Sequence, residues 1–230
     1  MTTLTIQTAD GKMDAYVATP PSGSGPALVV IQEIFGVNKV MRDLTDGFAA
    51  QGFVAICPDL FWRIEPGIDI TDESPAEWAR AFELFKGFDV EAGVADLAET
   101  IAAIRHHPAS TGKVGAVGYC LGGKLAFLTA TRTDIDAAVG YYGVGLNELV
   151  EEATIITKPL MLHIAGKDEF GPPEVQQQVH AGLDGNRLVT LYDYPLEDHA
   201  FARIGGQHYN KEAADQANTR TRGFLTQHLA

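Results

Sequence analysis

One cysteine stands in a setting that favours nucleophilic chemistry. Cys120 lies between two glycines in the segment Gly118-Tyr119-Cys120-Leu121-Gly122. The apolar run before this segment predicts a buried strand, and the run after it predicts a helix. A nucleophile at such a strand-to-helix turn is exposed at the tip of a sheet, next to the positive N-terminus of the helix. The backbone N–H of Leu121 would point there to stabilise an oxyanion.

A thiol nucleophile needs a base that removes its proton and a group that orients the base. Asp168 and His199 each follow a predicted strand later in the chain, which puts both side chains at the carboxyl edge of the sheet. The pattern therefore predicts a Cys120–His199–Asp168 triad. Two alternatives stay open. Glu169 could be the orienting acid, and Cys120 could be a buried structural thiol in a glycine-rich packing turn.

The other cysteine and the other histidines have simpler interpretations. Cys57 precedes Pro58 in a buried strand and is predicted to be an inert core thiol. His163 lies within an apolar strand and is predicted to be a hydrogen-bonded core residue. The remaining five histidines fall on predicted helices or helix ends, where solvation is expected. No metal-ligand spacing and no phosphate-binding glycine loop is present, so neither a metal nor a cofactor is expected.

The elements that must position the triad alternate between strand and helix. The segments Leu4–Gln7 and Ala15–Ala18 predict an antiparallel N-terminal hairpin. Continuous apolar runs predict strands buried on both faces, which indicates a mostly parallel, twisted sheet with helices on both faces. No linker divides the chain, so a single domain over residues 1–230 is predicted. The further strands are predicted at 27–31, 53–57, 113–117, 137–142, 160–165 and 188–192, and the helices at 38–51, 75–86, 90–106, 124–130, 174–181 and 210–228.

Composition excludes several classes of partner. The net charge of −13 argues against nucleic acid or an anionic membrane surface, and an anionic substrate would need a local cationic pocket. The first residues lack the features of a signal peptide, and no apolar run is long enough to span a membrane. Two cysteines suggest free thiols rather than a disulfide framework. We therefore expect a cytoplasmic monomer that acts on a small molecule.

A second chemical segment follows the first buried parallel strand. In Gln32-Glu33-Ile34-Phe35-Gly36, the backbone N–H of Ile34 is the candidate for a second oxyanion donor. Glu33 is notable because a carboxylate beside an active-site thiol disfavours the thiolate unless something offsets its charge. The alternative for Glu33 is a strand-end carboxylate that pairs with a nearby base.

The chain as a whole resembles the dienelactone hydrolases, also called carboxymethylenebutenolidases. The resemblance rests on five segments spread along the sequence: Gln32–Asn38, Cys57–Leu60, Phe88–Val94, Val117–Gly123 and Gly140–Gly145. It implies an α/β-hydrolase fold and a cysteine-dependent hydrolase that opens dienelactone-type enol lactones to unsaturated keto acids through an acyl thioester. It implies no cofactor. The alternatives are a promiscuous esterase or thioesterase of activated esters, and a ligand receptor with slow turnover.

The resemblance also assigns roles to residues. It makes Cys120, Asp168 and His199 the triad, with Ile34 and Leu121 supplying the oxyanion hole.

Two further roles follow from the resemblance. Glu33 matches the carboxylate that partners the resting thiol and moves when substrate arrives. Arg203 matches an arginine associated with the substrate carboxylate and with that glutamate.

The sequence departs from the family pattern around the substrate. Ala200 stands where the family enzyme of chloroaromatic degradation has a serine, directly after His199. Trp78 and Phe82 fall where that enzyme has a second substrate-binding arginine and a tyrosine, and Arg80 is close but not in register. Losing a hydroxyl or a charge that binds a carboxylate removes roughly 1–3 kcal/mol of interaction. The departures predict weaker binding of a small dianionic lactone, or a different and more apolar ester as substrate.

Overall fold

The computed structural model describes residues 2–230. The chain divides into two compact units, Met1–Ala116 and Val117–Ala230, which are taken in turn. Among residues 2–230, no helix is both long enough and apolar enough to cross a membrane.

The first unit contains the N-terminal hairpin and the first parallel strands. Its strands are β1 (Thr2–Gln7), β2 (Lys12–Ala18), β3 (Gly25–Ile31), β4 (Val54–Pro58) and the first part of β5 (Ser110–Tyr119), in the order β1-β2-β4-β3-β5. β2 pairs antiparallel with β1 and with β4, whereas β3 and β4 are parallel. The predicted antiparallel hairpin is thereby confirmed.

The helices of this unit begin where the sequence offers capping side chains. They are α1 (Lys39–Ala50), α2 (Pro75–Gly87) and α3 (Val90–Arg105). The side chains of Asn38, Ser74 and Asp89 accept hydrogen bonds from backbone N–H groups in the first turns of α1, α2 and α3, respectively. These bonds satisfy donors that a helix leaves unpaired at its start, which fixes where each helix begins.

The second unit continues as alternating helix and strand. It contains the end of β5, then α4 (Leu121–Arg132), β6 (Ala137–Tyr141), two 3-10 helices (Leu146–Glu148 and Val150–Ile155), β7 (Leu160–Ala165), α5 (Pro173–Leu183), β8 (Val189–Tyr194) and α6 (Lys211–Leu229). Its strand order is β5-β6-β7-β8, and β7 is parallel to both β6 and β8. The predicted mostly parallel sheet is confirmed, and the two 3-10 helices are additions that the sequence pattern did not predict.

Glycines let α4 approach β6 closely. A Cβ atom on Gly123 would lie 2.5 Å from the carbonyl oxygen of Tyr141, and one on Gly143 would lie 2.9 Å from the backbone of Gly123. Real side chains do not tolerate such distances, so only glycine permits this packing. The close approach fixes the start of α4 against β6, and the start of α4 carries Cys120.

Candidate active site

Cys120 occupies a strained turn between β5 and α4. Its backbone has φ 57° and ψ −114°, a left-handed conformation that L-residues rarely adopt. A Cβ atom on Gly118 would lie 1.9 Å from the carbonyl oxygen of Gly122, so the turn needs glycine there. Leu121 is the first residue of α4, and its N–H therefore has no acceptor within the helix. The predicted turn is present, with the sulfur at the positive end of α4.

The structure brings Cys120, His199 and Asp168 together within the second unit. His199 Nδ1 lies 2.7 Å from Asp168 Oδ2, and the His199 side chain also forms a hydrogen bond with Cys120. With Nδ1 engaged by the carboxylate, Nε2 is the nitrogen left to face the thiol. Glu169 is exposed, whereas Asp168 is buried, so the structure selects Asp168 as the partner of the imidazole.

The charges of this group act on His199. Burial of the imidazole works to lower its pKa. The negative charge of Cys120 as a thiolate and the hydrogen bonds to Asp168 and Cys120 outweigh that effect and raise the pKa of His199 to about 10. The same anionic neighbours favour the protonated imidazole, the form that can donate a proton to a leaving group.

Backbone strain concentrates around the same three side chains. Within residues 2–230, the non-glycine residues with positive φ are Cys120, Tyr142 (37°) and Ala200 (62°). Ala200 directly follows His199, and the ring of Tyr142 lies 5.0 Å from the imidazole of His199. Such conformations persist only where the surrounding structure holds them, and they cluster at functional sites.

Arg203 lies in the turn that follows His199. It is 7% exposed, its N–H donates to the carbonyl oxygen of Ala200, and its own carbonyl accepts from Gly206 N–H. A Cβ atom on Gly206 would lie 3.1 Å from Nε of Arg203, so the loop fits closely against the guanidinium. The candidate substrate arginine is thus buried and belongs to the same loop as the histidine.

The candidates in the first unit lie just beyond β3. Glu33 and Ile34 are buried, at 4% and 6% exposure. The side chain of Gln32 accepts from Leu60 N–H at 3.0 Å, which ties this segment to the loop after β4. Gly36 has φ 77°, and a Cβ there would lie 2.0 Å from the carbonyl oxygen of Ile68. The segment is therefore held rigidly, and the roles predicted for Glu33 and Ile34 stay predictions.

Trp78, Phe82 and Arg80 have different surroundings although they share α2. The ring of Trp78 packs edge-on against Phe35, at 5.1 Å between centroids, and stacks on Phe82 at 5.6 Å. Trp78 and Phe82 thus adjoin the segment that contains Ile34. Arg80 instead forms ion pairs with two carboxylates, Glu65 at 2.5 Å and Glu83 at 3.1 Å.

Sequence reasoning missed two aromatic residues beside the imidazole, Tyr142 and Phe170. The ring of Phe170 lies 4.9 Å from that of His199, on the loop that carries Asp168. Neither residue is an acid, a base or a nucleophile of the kind that residue type reveals, so a search for reactive side chains passes over them. Their positions directly after β6 and two residues after Asp168 were the available signal.

The simpler interpretations of His163 and Cys57 are confirmed. His163 is 1% exposed and hydrogen-bonded to Tyr194 and Thr221, and burial lowers its pKa to about 3. Cys57 is fully buried, and burial raises the pKa of its thiol. Among residues 2–230, no group of three histidine, cysteine or carboxylate side chains has a geometry that could hold a metal ion.

Comparison with known proteins shows the family of the chain. The family model for the dienelactone hydrolase family matches residues 13–229. A relative from Azospirillum brasilense, provisionally named a carboxymethylenebutenolidase, is 53% identical over 234 residues and 100% of both chains. The carboxymethylenebutenolidase of Pseudomonas putida is 41% identical over 96% of this chain and 94% of its own.

A solved structure extends the comparison to the fold. The crystal structure of a Klebsiella pneumoniae protein, provisionally named a dienelactone hydrolase, superposes with a TM-score of 0.86 at 27% identity, covering 98% of both chains. This similarity confirms the predicted α/β-hydrolase fold. The chain therefore belongs to the dienelactone hydrolase family, and it is a hydrolase.

Proposed function

We propose that this protein opens enol lactones of the carboxymethylenebutenolide type to unsaturated keto acids, with Cys120 as the nucleophile. The observation that carries the proposal is the position of His199, hydrogen-bonded to Asp168 on one side and to Cys120 on the other. The relatives named carboxymethylenebutenolidases support the substrate class.

In the first step the Cys120 thiolate attacks the lactone carbonyl. The carbon–sulfur bond forms, and the carbonyl π pair moves to oxygen. The N–H of Leu121, at the start of α4, is the donor for this oxyanion, and the N–H of Ile34 is proposed as the second donor. When the carbonyl re-forms, the ring carbon–oxygen bond breaks. The released enolate takes its proton from the His199 imidazolium, leaving an acyl thioester on Cys120.

In the second step water releases the acyl group. His199, now neutral, removes a proton from a water molecule, which attacks the thioester carbonyl. Collapse of the second tetrahedral intermediate breaks the carbon–sulfur bond and restores the thiolate beside the imidazolium. Asp168 holds the imidazole in one orientation through both steps.

A thiol nucleophile restricts the substrates that can react forward. An unperturbed thiol has a pKa of about 8.5, against about 15.7 for water, which an ordinary alcohol resembles. In the first tetrahedral intermediate, sulfur is therefore a better leaving group than an alkoxide. The intermediate formed from a simple alkyl ester loses the thiolate and returns to the starting ester. In an enol lactone the leaving group is a resonance-stabilised enolate, so the intermediate goes forward to the acyl enzyme. This asymmetry favours enol lactones over alkyl esters.

The roles proposed for Glu33 and Arg203 concern the substrate-free state and the substrate carboxylate. Arg203 would bind the carboxylate of the lactone, and Glu33 would partner the thiol until substrate arrives. Replacing Glu33 with Gln removes one negative charge. If the charge of Glu33 disfavours the thiolate, thiolate absorbance in the substrate-free Glu33→Gln enzyme appears at lower pH than in wild type. An unchanged titration would end this role.

A second candidate function is hydrolysis of activated, more apolar esters. The observation that favours it is the set of side chains on α2, where Trp78 packs against Phe35, close to Ile34 in the sequence. Arg80 is engaged by Glu65 and Glu83, while Trp78 and Phe82 present aromatic surface. Steady-state kcat/KM for cis- and trans-dienelactone, beside aryl and alkyl esters, separates the two. A preference for aryl esters over both dienelactones would select the second function.

The nucleophile is tested by trapping the acyl enzyme. Intact-protein mass spectrometry during turnover of a slow ester, followed by peptide mapping, is expected to show one acyl adduct on Cys120. The adduct is absent in Cys120→Ala and present in Cys57→Ala, the matched control for the other thiol. An adduct at any other residue would overturn the mechanism.

A further inference from the structure

Two aromatic rings pack against the imidazole of His199. Tyr142 approaches His199 with a centroid distance of 5.0 Å and an interplanar angle of 61°, and Phe170 approaches it with 4.9 Å and 74°. Both arrangements are edge-to-face, the geometry that aromatic pairs prefer.

Tyr142 is held in place from several sides. Its N–H donates to the carbonyl oxygen of His163 in β7 at 2.8 Å, and its ring contacts Phe201 at 5.6 Å and Tyr119 at 6.2 Å. Its backbone carries a positive φ of 37°, which only a constrained setting maintains. The inner ring is therefore a fixed surface against which the imidazole can rest.

Phe170 is attached to the same carboxylate that orients the imidazole. Asp168 accepts from Phe170 N–H with Oδ1 at 2.9 Å, while its Oδ2 faces His199 Nδ1. One carboxylate thus positions both the ring of His199 and the residue that covers it. Phe170 is 41% exposed, whereas Asp168 and His199 are 7% and 9% exposed. The ring of Phe170 therefore meets solvent, whereas the two hydrogen-bonded residues next to it are buried.

We propose that Tyr142 and Phe170 form an aromatic clamp that keeps His199 aligned between Asp168 and Cys120, with Phe170 as the positioning residue that shields the Asp168–His199 hydrogen bond from water. The kinetic part of this inference rests on the proposed function. A clamp acts on the chemical steps, for which the imidazole must be aligned, rather than on substrate binding.

The test removes the Phe170 ring, once with most of the apolar bulk kept (Leu) and once with the side chain truncated (Ala). Phe170→Leu and Phe170→Ala are expected to lower kcat by about threefold to tenfold, the equivalent of one aromatic pair, with KM unchanged. In proton NMR, the downfield Nδ1–H signal of His199, identified by its loss in Asp168→Asn, is expected in wild type and lost to solvent exchange in both variants. Phe170→Tyr is expected to restore kcat and the signal.

The matched control deletes a similar pair elsewhere in the second unit. Phe224 packs edge-on against His228 on α6, at 4.6 Å and 66°. Phe224→Ala is expected to leave kcat and the His199 signal unchanged. The clamp is overturned if the Phe170 variants keep wild-type kcat and signal, if only their melting temperature falls, or if wild type shows no slowly exchanging signal. A wild type that hydrolyses no ester refutes the proposed function instead, while the NMR comparison still decides the clamp.

Discussion

Two buried histidines of the second unit reach opposite protonation states. His163, inside β7, is 1% exposed and its pKa is lowered to about 3, whereas His199, on the loop after β8, is 9% exposed and its pKa is raised to about 10. Burial works to lower the pKa in both cases. The difference therefore comes from the groups that surround each ring.

The surroundings differ in charge rather than in hydrogen bonding. His163 is bonded to the hydroxyls of Tyr194 and Thr221, which are neutral, and the positive charge of Arg220 lowers its pKa further. His199 instead meets the Asp168 carboxylate and the Cys120 thiolate. A strand interior thus keeps His163 neutral, while the loop after β7 and the strand-to-helix turn before α4 place anionic groups beside His199.

Replacing Cys120 is expected to have the largest effect on the difference between His199 and His163. Cys120→Ala is expected to lower kcat by about 10⁴-fold or more, because the covalent route is lost. It should also lower the pKa of His199, since the largest influence that raises it disappears. Ester hydrolysis and histidine NMR titration check the two effects, and wild-type activity in Cys120→Ala would contradict the account. Cys57→Ala is the control and is expected to keep activity.

Neutralising the orienting carboxylate has the next largest effect. Asp168→Asn is expected to reduce kcat by about 10³- to 10⁴-fold, because an amide no longer holds the imidazole in the required tautomer. The exposed neighbour Glu169 provides the matched control, and Glu169→Gln should stay near wild-type activity. Equal losses in both variants would mean that Asp168 is not the specific partner.

His163 is expected to matter for stability and not for catalysis. His163→Leu leaves the hydroxyls of Tyr194 and Thr221 without one buried partner, which should lower the free energy of unfolding by about 1–3 kcal/mol. The kcat of the folded variant is expected to stay near wild type. Urea unfolding and steady-state kinetics measure the two quantities. A large loss of kcat with unchanged stability would reverse the assignment of the two histidines.

The pH dependence of the free energy of unfolding below pH 6.5 is expected to show a smaller effect of His163. The pKa of His163 is about 3 in the folded protein, against an ordinary value of 6.5 that applies to the unfolded chain. Between these values His163 therefore binds a proton in the unfolded chain but not in the folded protein. Its contribution to stability is complete above pH 6.5 and is lost as the pH falls towards 3, with a slope of about 1.4 kcal/mol per pH unit. In urea unfolding from pH 6.5 to 5, His163→Leu should show a flatter decline than wild type by this slope. Parallel curves would show that His163 is not held neutral.

Most of the fold was readable from local patterns. Continuous apolar runs such as Ala27–Ile31 predicted β3, and capping residues such as Asn38 predicted the start of α1. The 3-10 helices at 146–148 and 150–155 were not predicted, because short helices of this kind carry little periodicity.

The site was predictable where its residues carry reactive groups. Cys120, Asp168 and His199 were found from residue type and from their places after predicted strands. The spacing of Asp168 from Gly166 after a predicted strand favours Asp168 over Glu169, and the structure buries Asp168 and exposes Glu169. Tyr142 and Phe170 were missed because their contribution depends on ring packing, which no local pattern encodes.

The most direct test is a titration of the two histidines by ¹H–¹⁵N NMR of their ring nitrogens, assigned with His163→Leu and His199→Gln. The account predicts that His199 stays an imidazolium until the pH approaches about 10, while His163 stays neutral down to about 3. If His199 instead titrates at or below 6.5 in the intact enzyme, Cys120 and Asp168 do not act on it as a charged unit, and the triad is contradicted.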